Sequence, residues 1–298
     1  MKELIWEITN DCLNNCRHCS SMLCDSEGMH SFDPEIIAAG VKVFKTHGFN
    51  HVILSGGEPG LHPHLDLIID SIAATGADVS MYTSGVYGDD FFKRSKLSAI
   101  RKLHKVFISF YSSDPKIHEE LTGKVGSFSI AMDALAHFVL EGVNVEANIV
   151  PMNQNQADLD KTAVFLLDRG VNQVNFLKLV QQGNAEKNWD AIRPNYEQLE
   201  TTLECVRSNS NVRVGTPFGQ QKTGGQFCGA GYKKICISYD GFILPCEVFK
   251  RDRKKFPNIY ANFQELDDII SSFSRLSSIS ESTNISCFQS VIKNKLML

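Results

Sequence analysis

The chain has 298 residues, 43% of them hydrophobic, enough for one large domain, or a domain with a smaller module, around a sizeable core. Its formal net charge of −4, from 30 Lys and Arg against 34 Asp and Glu, gives no electrostatic reason to expect a nucleic-acid partner. No apolar run approaches the roughly 18 residues that span a bilayer. Glu3 and Glu7 interrupt the first apolar stretch, which is too short for a signal peptide, so we expect a cytoplasmic protein with no membrane partner.

The nine cysteines are unevenly distributed. Three lie between Cys12 and Cys19, and three more between Cys228 and Cys246. A reducing cytosol does not favour structural disulfides, and clustered cysteines there more often bind metals or take part in redox chemistry. The pattern therefore predicts metal or redox chemistry.

Six short runs rich in Val, Ile, Phe and Leu alternate with helix-length segments, as is typical of buried parallel strands. The six runs are Glu3–Thr9, His51–Ser55, Asp78–Thr83, Lys105–Tyr111, Val143–Pro151 and Val174–Val180. A capping residue and a proline, Asp33-Pro34, predict the start of the first helix, and Gly48 predicts its end. Two further helices are predicted over Ser127–Glu141 and Asp158–Arg169. Six strand–helix repeats indicate an α/β fold, a partial TIM-like (β/α)6 barrel rather than the full barrel of eight.

The pattern changes after the sixth run. A bridging helix is predicted over Asn195–Arg207, and short strands and turns follow from Gly224. We place a domain boundary near residue 215, which gives a barrel with its bridging helix over residues 1–214 and a small α+β domain over residues 215–298. The basic segment Lys250–Lys255 is interpreted as a solvated loop.

Cys12, Cys16 and Cys19 follow directly on the first predicted strand. Thiolates are the usual ligands of iron–sulfur clusters, and a full set has four of them. Three closely spaced cysteines leave one iron of a cubane without a protein ligand, and a small molecule can bind such an open position. A zinc site is the alternative, with Cys24 or His18 as the fourth ligand.

The second predicted strand ends in a turn made of Gly56, Gly57 and Glu58. Two glycines allow a ligand to approach the backbone closely, and Glu58 can accept an ammonium group. Ligands of parallel sheets bind at the carboxyl ends of strands, where Cys12 and Thr83 are also predicted to lie. These positions predict one ligand site at that edge.

The triad Cys12, Cys16 and Cys19, followed by Gly56–Pro59, resembles the radical S-adenosylmethionine (SAM) superfamily. The resemblance implies a partial (β/α)6 barrel, in which the catalytic cysteines bind a [4Fe–4S] cluster and SAM chelates its open iron. The Gly-Gly-Glu turn then contacts the methionine ammonium group. The implied reaction is reductive cleavage of SAM to a 5′-deoxyadenosyl radical, with an electron from flavodoxin or ferredoxin. His18 departs from the family, which usually has an aromatic residue before the third cysteine.

A narrower resemblance, to the subgroup with SPASM or twitch extensions, covers residues 105 to 185. The matching segments are Phe107–Tyr111, His118, Thr122-Gly123, Gly126–Phe128, Asn148 and Gly183–Ala185. This resemblance implies that Ser109 lies near the carboxylate or ribose of SAM and Asn148 near the ribose. Thr83 and Gly183 complete the SAM-binding candidates. The alternative for Thr83, Ser109 and Asn148 is an ordinary place in the lining of the barrel.

The carboxyl-terminal module is similar to the shorter, twitch form of these extensions. Cys228, Gly241 and Cys246 have its spacing, and only Cys287 follows. The resemblance implies one auxiliary [4Fe–4S] cluster, for which we predict Cys228, Cys246 and Cys287 as ligands.

The fourth ligand of that cluster stays open. Asp240-Gly241 predicts a two-residue hairpin turn that pairs Lys234–Tyr239 with Phe242–Phe249. In that register Cys236 points away from Cys246, because side chains alternate between the two faces of a strand. We therefore predict that Cys236 is not a ligand.

The implied function is removal of a hydrogen atom from a substrate by a radical SAM enzyme. The subgroup often modifies ribosomally made peptides by crosslinks, thioethers or epimerisation, which we predict here, with peptide recognition by a separate protein left open. The alternative substrate is a small molecule (a sugar, aminocyclitol or nucleotide) that is oxidised or cyclised. An alternative of another class is a non-catalytic zinc or iron–sulfur binding protein.

Overall fold

In the computed structural model, which describes residues 1–21, 28–87, 91–92, 94–214 and 229–282, nine strands form one sheet. They are β1 (Lys2–Thr9), β2 (Phe49–Gly56), β3 (Asp78–Thr83), β4 (Lys105–Ser109), β5 (Val145–Ile149), β6 (Gln173–Phe176), β7 (Val212–Val214), β8 (Lys234–Ile237) and β9 (Ile243–Leu244). The strand order is β7-β6-β5-β4-β3-β2-β1-β8-β9, and only β8 and β9 are antiparallel neighbours. β1 to β6 provide the six predicted repeats, and the α/β partial-barrel prediction is confirmed. β7 was not predicted, because three residues are too few to show periodicity.

The described ranges also contain ten α-helices. They are α1 (Pro34–Thr46), α2 (Leu65–Ala74), α3 (Arg94–Ile100), α4 (Pro115–Thr122), α5 (Ser127–Leu140), α6 (Leu159–Leu167), α7 (Asn184–Lys187), α8 (Trp189–Ile192), α9 (Tyr196–Val206) and α10 (Leu266–Ser282). α1 begins where the sequence predicts, with Pro34 in its first turn and Asp33 accepting a hydrogen bond from the Glu35 amide at 2.8 Å. The other three predicted helices are α5, α6 and α9. None of these ten helices is long and apolar enough to cross a membrane.

β1 separates two environments. Leu4, Trp6 and Ile8 are fully buried in the large core between sheet and helices. Ile5 and Glu7 alternate with them and face the inside of the barrel. Burial of each large apolar side chain contributes about 1.5–3 kcal/mol, so the outer row fixes the strand and thereby the direction of the inner row.

The predicted carboxyl-terminal hairpin is β8–β9, but its register differs by one residue from the prediction. Cys236 pairs with Leu244, and the Ser238 amide donates to the Phe242 carbonyl at 2.9 Å. The turn therefore has three residues rather than two, with Gly241 at a φ of 92°. β8 also pairs with β1, so the hairpin extends the barrel sheet. The boundary predicted near residue 215 falls on residues 215–228, outside the described part of the chain.

This register changes the surroundings of Cys236. A shift of one residue moves a side chain to the other face of a strand, so Cys236 and Cys246 share a face instead of pointing apart. Both pack in one apolar cluster inside the barrel, together with Ile5 and Phe249. The alternation argument that separated the two cysteines is therefore wrong.

The basic segment 250–255 is not a solvated loop. It belongs to a 3₁₀ helix in which Lys250 and Arg253 are buried. The Lys250 ammonium group lies 2.6 Å from the Glu7 carboxylate, and the Arg253 guanidinium lies 2.6 Å from that of Asp240. Buried charges require such partners, and the partners come from β1 and the hairpin turn, which the local sequence does not reveal.

Candidate active site

Cys12, Cys16 and Cys19 lie in one loop after β1, at the carboxyl edge of the sheet. All three are partly buried, and the Cys19 amide donates to the Cys16 carbonyl at 3.2 Å. Burial is the main reason that the pKa of the Cys12 thiol is raised to about 12 and that of Cys16 well above its usual value. The charges of the neighbouring cysteines raise both pKa values further. These thiols therefore need a bound cationic centre to become thiolates, which is typical of metal ligands.

One flank of the cysteine loop rests on the end of α4. The amides of Asn15 and Arg17 donate to the carbonyls of Thr122 and Leu121, each at 3.0 Å. A Cβ atom on Gly123 would lie 2.5 Å from the Asn15 carbonyl oxygen. The Thr122-Gly123 pair, which resembles the family pattern, thus packs directly against the cysteine loop.

The other flank is held by the start of α7. The Asn184 amide donates to the Cys19 carbonyl at 2.9 Å, and the Asn184 side chain donates to the Cys16 carbonyl at 3.2 Å. Asn188 donates to the carbonyl of the residue after Cys16 at 3.2 Å. Gly183, predicted to bind SAM, precedes α7 with a φ of 62°. Sequence reasoning missed this clamp, because the carbonyls that it binds have no sequence signature.

The glycine turn after β2 packs against the same loop. The Gly57 amide donates to the Thr9 carbonyl at 2.8 Å, and the Glu58 amide to the Asp11 carbonyl at 2.7 Å. A Cβ atom would lie 2.1 Å from the Thr9 oxygen at Gly56 and 2.1 Å from the Asp11 oxygen at Gly57. Both positions therefore require glycine, because the cysteine loop occupies the space of a side chain.

Glu58 uses its carboxylate within the chain rather than leaving it open for an ammonium group. The buried carboxylate accepts hydrogen bonds from the Thr83 hydroxyl at 2.6 Å, from the Ser84 amide and hydroxyl at 2.7 Å, and from the Gly60 amide at 3.1 Å. Burial raises the pKa of Glu58, and the donors from Thr83 and Ser84 oppose that rise. Glu58 and Thr83 thus join the ends of β2 and β3, which leaves backbone atoms of the turn to face a ligand.

The inner face of β4 to β6 brings further predicted residues to this edge. Ser109 and Asn148 are register partners, as are Asn148 and Asn175. The Asn175 side chain donates to Asn148 at 3.2 Å and to Glu146 at 2.9 Å. The structure therefore brings together Ser109 and Asn148, which the sequence placed on separate strands.

Three cysteine thiols in one loop fit an iron–sulfur cluster, whose usual ligands are thiolates. Among the described residues, the side chain of Asn14 and Nδ1 of His18 are buried in this loop without a hydrogen-bond partner. For the zinc alternative, His18 Nε2 is already 2.9 Å from the Tyr111 hydroxyl, and Cys24 lies outside the described residues.

Of the predicted auxiliary-cluster ligands, Cys246 alone is described, and Cys228 and Cys287 lie outside the described residues. Cys246 is partly exposed and directly precedes the 3₁₀ helix Glu247–Lys255. Cys236, on the same face, is fully buried among hydrocarbon side chains. The full burial of Cys236 in this packing, rather than strand alternation, distinguishes it from the partly exposed Cys246.

A parallel α/β barrel with three thiols and a glycine turn at one carboxyl edge is the arrangement expected of an enzyme that carries an iron–sulfur cofactor. The model of the Radical SAM superfamily matches residues 6–166, more than half of the sequence, and the chain belongs to this family. It is a radical SAM enzyme, a class whose cofactors are a [4Fe–4S] cluster and SAM. The family predicted from the sequence is confirmed.

Two relatives with different names are similar in sequence to this chain. A probable GTP 3′,8-cyclase of Sulfurisphaera tokodaii is 24% identical over 275 residues, 85% of this chain and 83% of the relative. AlbA of Bacillus subtilis, a biosynthesis protein of the antilisterial bacteriocin subtilosin, is 20% identical over 83% of this chain and 55% of its own length.

Solved structures show the same fold at low identity. Streptococcus suis SuiB bound to its precursor peptide SuiA superposes with a TM-score of 0.72 at 16% identity, over 91% of this chain and 66% of SuiB. The anSMEcpe structure with bound AdoMet has a TM-score of 0.66 at 16% identity, over 92% of this chain and 80% of that one. These structures share the fold of this chain, and the SPASM/twitch subgroup with its auxiliary cluster stays a prediction from residues 105–185 and the carboxyl-terminal cysteines. The chain spans just under two thirds of SuiB and about half of AlbA.

Proposed function

We propose that this radical SAM enzyme acts on a ribosomally made peptide, in which it forms a crosslink, a thioether or an epimerised residue. The observation that carries the proposal is the inner face of the barrel beneath the cofactor edge, where an apolar wall stands beside lysines that already have carboxylate partners. The fold shared with SuiB, a protein crystallised with a precursor peptide, supports the same substrate class.

The apolar wall is formed by Tyr82 of β3 and Phe107 of β4. The two residues are register partners, and their ring centroids are 4.9 Å apart. Each lies two residues before a serine of the carboxyl edge, Ser84 or Ser109, a distance of about 6.6 Å along a strand. Both rings are partly buried and pack against the interior cluster that also contacts Cys246. An apolar or aromatic side chain of a peptide fits this wall, directly below the proposed SAM position.

The lysines of the inner face disfavour a nucleoside triphosphate. In the described part of the chain the pairs are Lys105–Glu146, Lys234–Glu247 at 3.9 Å and Lys250–Glu7 at 2.6 Å. Burial lowers the pKa of Lys234, but the charge of Glu247 together with smaller effects of other neighbouring groups outweighs burial and raises that pKa above its usual value. Recognition of a polyphosphate requires cationic groups whose charge is not already compensated. The pairing therefore favours a peptide over a nucleotide.

The chain's own residues have distinct parts in the proposed reaction. When bound, the cluster and SAM supply a 5′-deoxyadenosyl radical that removes a hydrogen atom from a substrate carbon. The thiolates of Cys12, Cys16 and Cys19 hold the cluster, which flavodoxin or ferredoxin reduces. Ser109 and Asn148 orient SAM. The other proposed contributors to its site are the backbone of Gly56, Gly57 and Glu58, the hydroxyl of Thr83, and Gly183. The wall of Tyr82 and Phe107 keeps water from the reacting carbon.

The substrate class can be tested with the anaerobically reconstituted full chain, SAM and dithionite. GTP is supplied in one series, and synthetic peptides encoded by open reading frames beside this gene in the other. We expect a peptide to increase 5′-deoxyadenosine formation and to lose two hydrogen atoms, or to take up deuterium from D₂O in an epimerisation. Conversion of GTP with every peptide unmodified would show the small-molecule alternative to be right.

We further propose that Cys246 binds the auxiliary cluster with Cys228 and Cys287, and that Cys236 does not. Cys246→Ala is expected to lose about four irons, one cubane, while Cys236→Ala keeps the wild-type content. Iron and sulfide analysis with Mössbauer spectroscopy measures both variants, and Cys205→Ala, at an exposed cysteine of α9, is the matched control. Loss of the auxiliary cluster from the Cys236 variant would identify the missing fourth ligand and contradict the packing argument.

A further inference from the structure

Gln182, a buried residue between β6 and α7, touches both segments that carry clustered cysteines. Its side-chain amide donates to the Ser20 carbonyl at 2.9 Å and to the Glu247 carbonyl at 3.5 Å. Ser20 directly follows Cys19 in the cysteine loop. Glu247 directly follows Cys246, the proposed ligand of the auxiliary cluster. Because an amide nitrogen has two hydrogens to donate, one side chain links the two segments.

The neighbouring residues of α7 repeat this double contact. Glu186 forms an ion pair with Arg251 of the 3₁₀ helix that begins after Cys246. Both side chains are half exposed, so the pair contributes little stability by itself, but it brings the same two elements together. Asn184, which binds the cysteine loop from the start of α7, lies between Gln182 and Glu186 in sequence.

The segment that carries Gln182 is anchored in a small apolar core. Leu179 and Ala185, on either side of Gln182 in sequence, are buried in one cluster with Leu121 and Ile192. The Gln182 amide also donates to the Val180 carbonyl at 2.9 Å. Close-packed side chains transmit a displacement rather than absorb it. A shift of either carbonyl that the Gln182 side chain binds is therefore felt at the other carbonyl.

We propose that Gln182 is a positioning residue that couples the cysteine loop to the segment after Cys246. When SAM binding or cluster assembly moves one of the two carbonyls, the shared amide passes the movement to the other. The inference does not depend on the class of substrate, and its part that concerns the auxiliary cluster rests on the proposed role of Cys246. Because linkage is reciprocal, occupation of the auxiliary site alters the affinity for SAM by the same factor by which SAM alters that occupation.

The first test measures hydrogen exchange in the anaerobically reconstituted full chain with and without SAM. We expect SAM to slow amide exchange in the 3₁₀ helix Glu247–Lys255 of the wild type. This protection should be lost in Gln182→Met, which keeps the length of the side chain but has no hydrogen to donate. Gln181→Met, at the exposed neighbouring glutamine, is the matched control and should behave like the wild type.

Two results of this experiment would overturn the proposal. One is a wild-type protein in which SAM leaves exchange in the 3₁₀ helix unchanged, and the other is full protection in Gln182→Met. If Gln182→Met fails to assemble a cluster, Gln182→Asn takes its place, because it keeps the amide but is one methylene group too short to reach both carbonyls. The same two results then decide.

The second test asks whether the auxiliary site acts through Gln182. Cys246→Ala is expected to weaken SAM binding about fivefold in equilibrium dialysis, at the lower end of typical coupling between sites. Combined with Gln182→Met it should weaken SAM binding no further than either single change. Additive effects would contradict a coupling through Gln182.

Iron analysis separates failure of the coupling from failure of the cluster assignment. Loss of about four irons from Cys246→Ala supports its role as a ligand, and the affinity cycle then tests the coupling. Wild-type iron content in Cys246→Ala would contradict the ligand assignment alone. The hydrogen-exchange experiment would still decide the coupling, because it uses no variant of Cys246.

Discussion

Replacement of Cys12, Cys16 and Cys19 by Ala is expected to reduce 5′-deoxyadenosine formation to the level of an enzyme-free blank. The three thiols are the described groups that can hold the SAM-cleaving cluster, and each residue lies in a loop clamped on two flanks by α4 and α7. The clamp uses backbone carbonyls, so it survives the substitutions and the barrel should still fold. The measurement is anaerobic product analysis with dithionite and SAM, since exposed clusters and thiolates oxidise in air.

The auxiliary cluster provides the control for this variant. The triple variant should keep about four irons, because Cys246 lies in a separate cluster of side chains formed with the β8–β9 hairpin. Cys205→Ala, at an exposed cysteine of α9, should cleave SAM like the wild type. A wild-type yield of 5′-deoxyadenosine from the triple variant would contradict the assignment of the cysteines.

The periodicity of the sequence was sufficient to predict the six parallel strands of the barrel. The strands are buried on both sides and read as apolar runs, and the first helix has both its cap at Asp33 and its proline in sequence. The location of the candidate site at the carboxyl edge followed from the predicted strands, because parallel strands bring their carboxyl ends to the same edge of a sheet. Ser109 and Asn148 are register partners at that edge, as the rule requires, and their part in SAM binding stays a prediction.

What the sequence did not reveal depends on contacts between distant segments. Lys250 looked like part of a solvated basic run because its partner, Glu7, is 243 positions away in sequence. Glu58 looked like an open carboxylate because its donors come from the end of another strand. The hairpin register depended on one turn residue, Gly241, whose left-handed conformation serves two-residue and three-residue turns alike. Periodicity describes a single element and contains no information on such pairs.

Gly57→Val is expected to weaken SAM binding at least tenfold, about 1.4 kcal/mol, and to reduce loading of the amino-terminal cluster. A Cβ atom at this position would lie 2.1 Å from the carbonyl oxygen and 2.7 Å from the carbonyl carbon of Asp11. Both are backbone atoms of the segment that leads into Cys12, so the loop itself must move. The movement breaks the hydrogen bonds from the amides of Gly57 and Glu58 that align the turn with the loop.

We expect the steric clash at Gly57, rather than the loss of a glycine as such, to cause the weaker SAM binding. A substitution at a second glycine distinguishes these two causes. Gly142 lies in a turn with a φ of 72°, and a Cβ atom there meets nothing within 4 Å. Gly142→Ala therefore carries a backbone penalty without a steric one, and its SAM affinity and iron content should match the wild type. Equilibrium dialysis and iron analysis compare the two variants at equal protein concentration. Unchanged SAM affinity in Gly57→Val would mean that the cysteine loop can shift without disturbing the SAM site, and the contacts between the glycine turn and that loop would then be structural only.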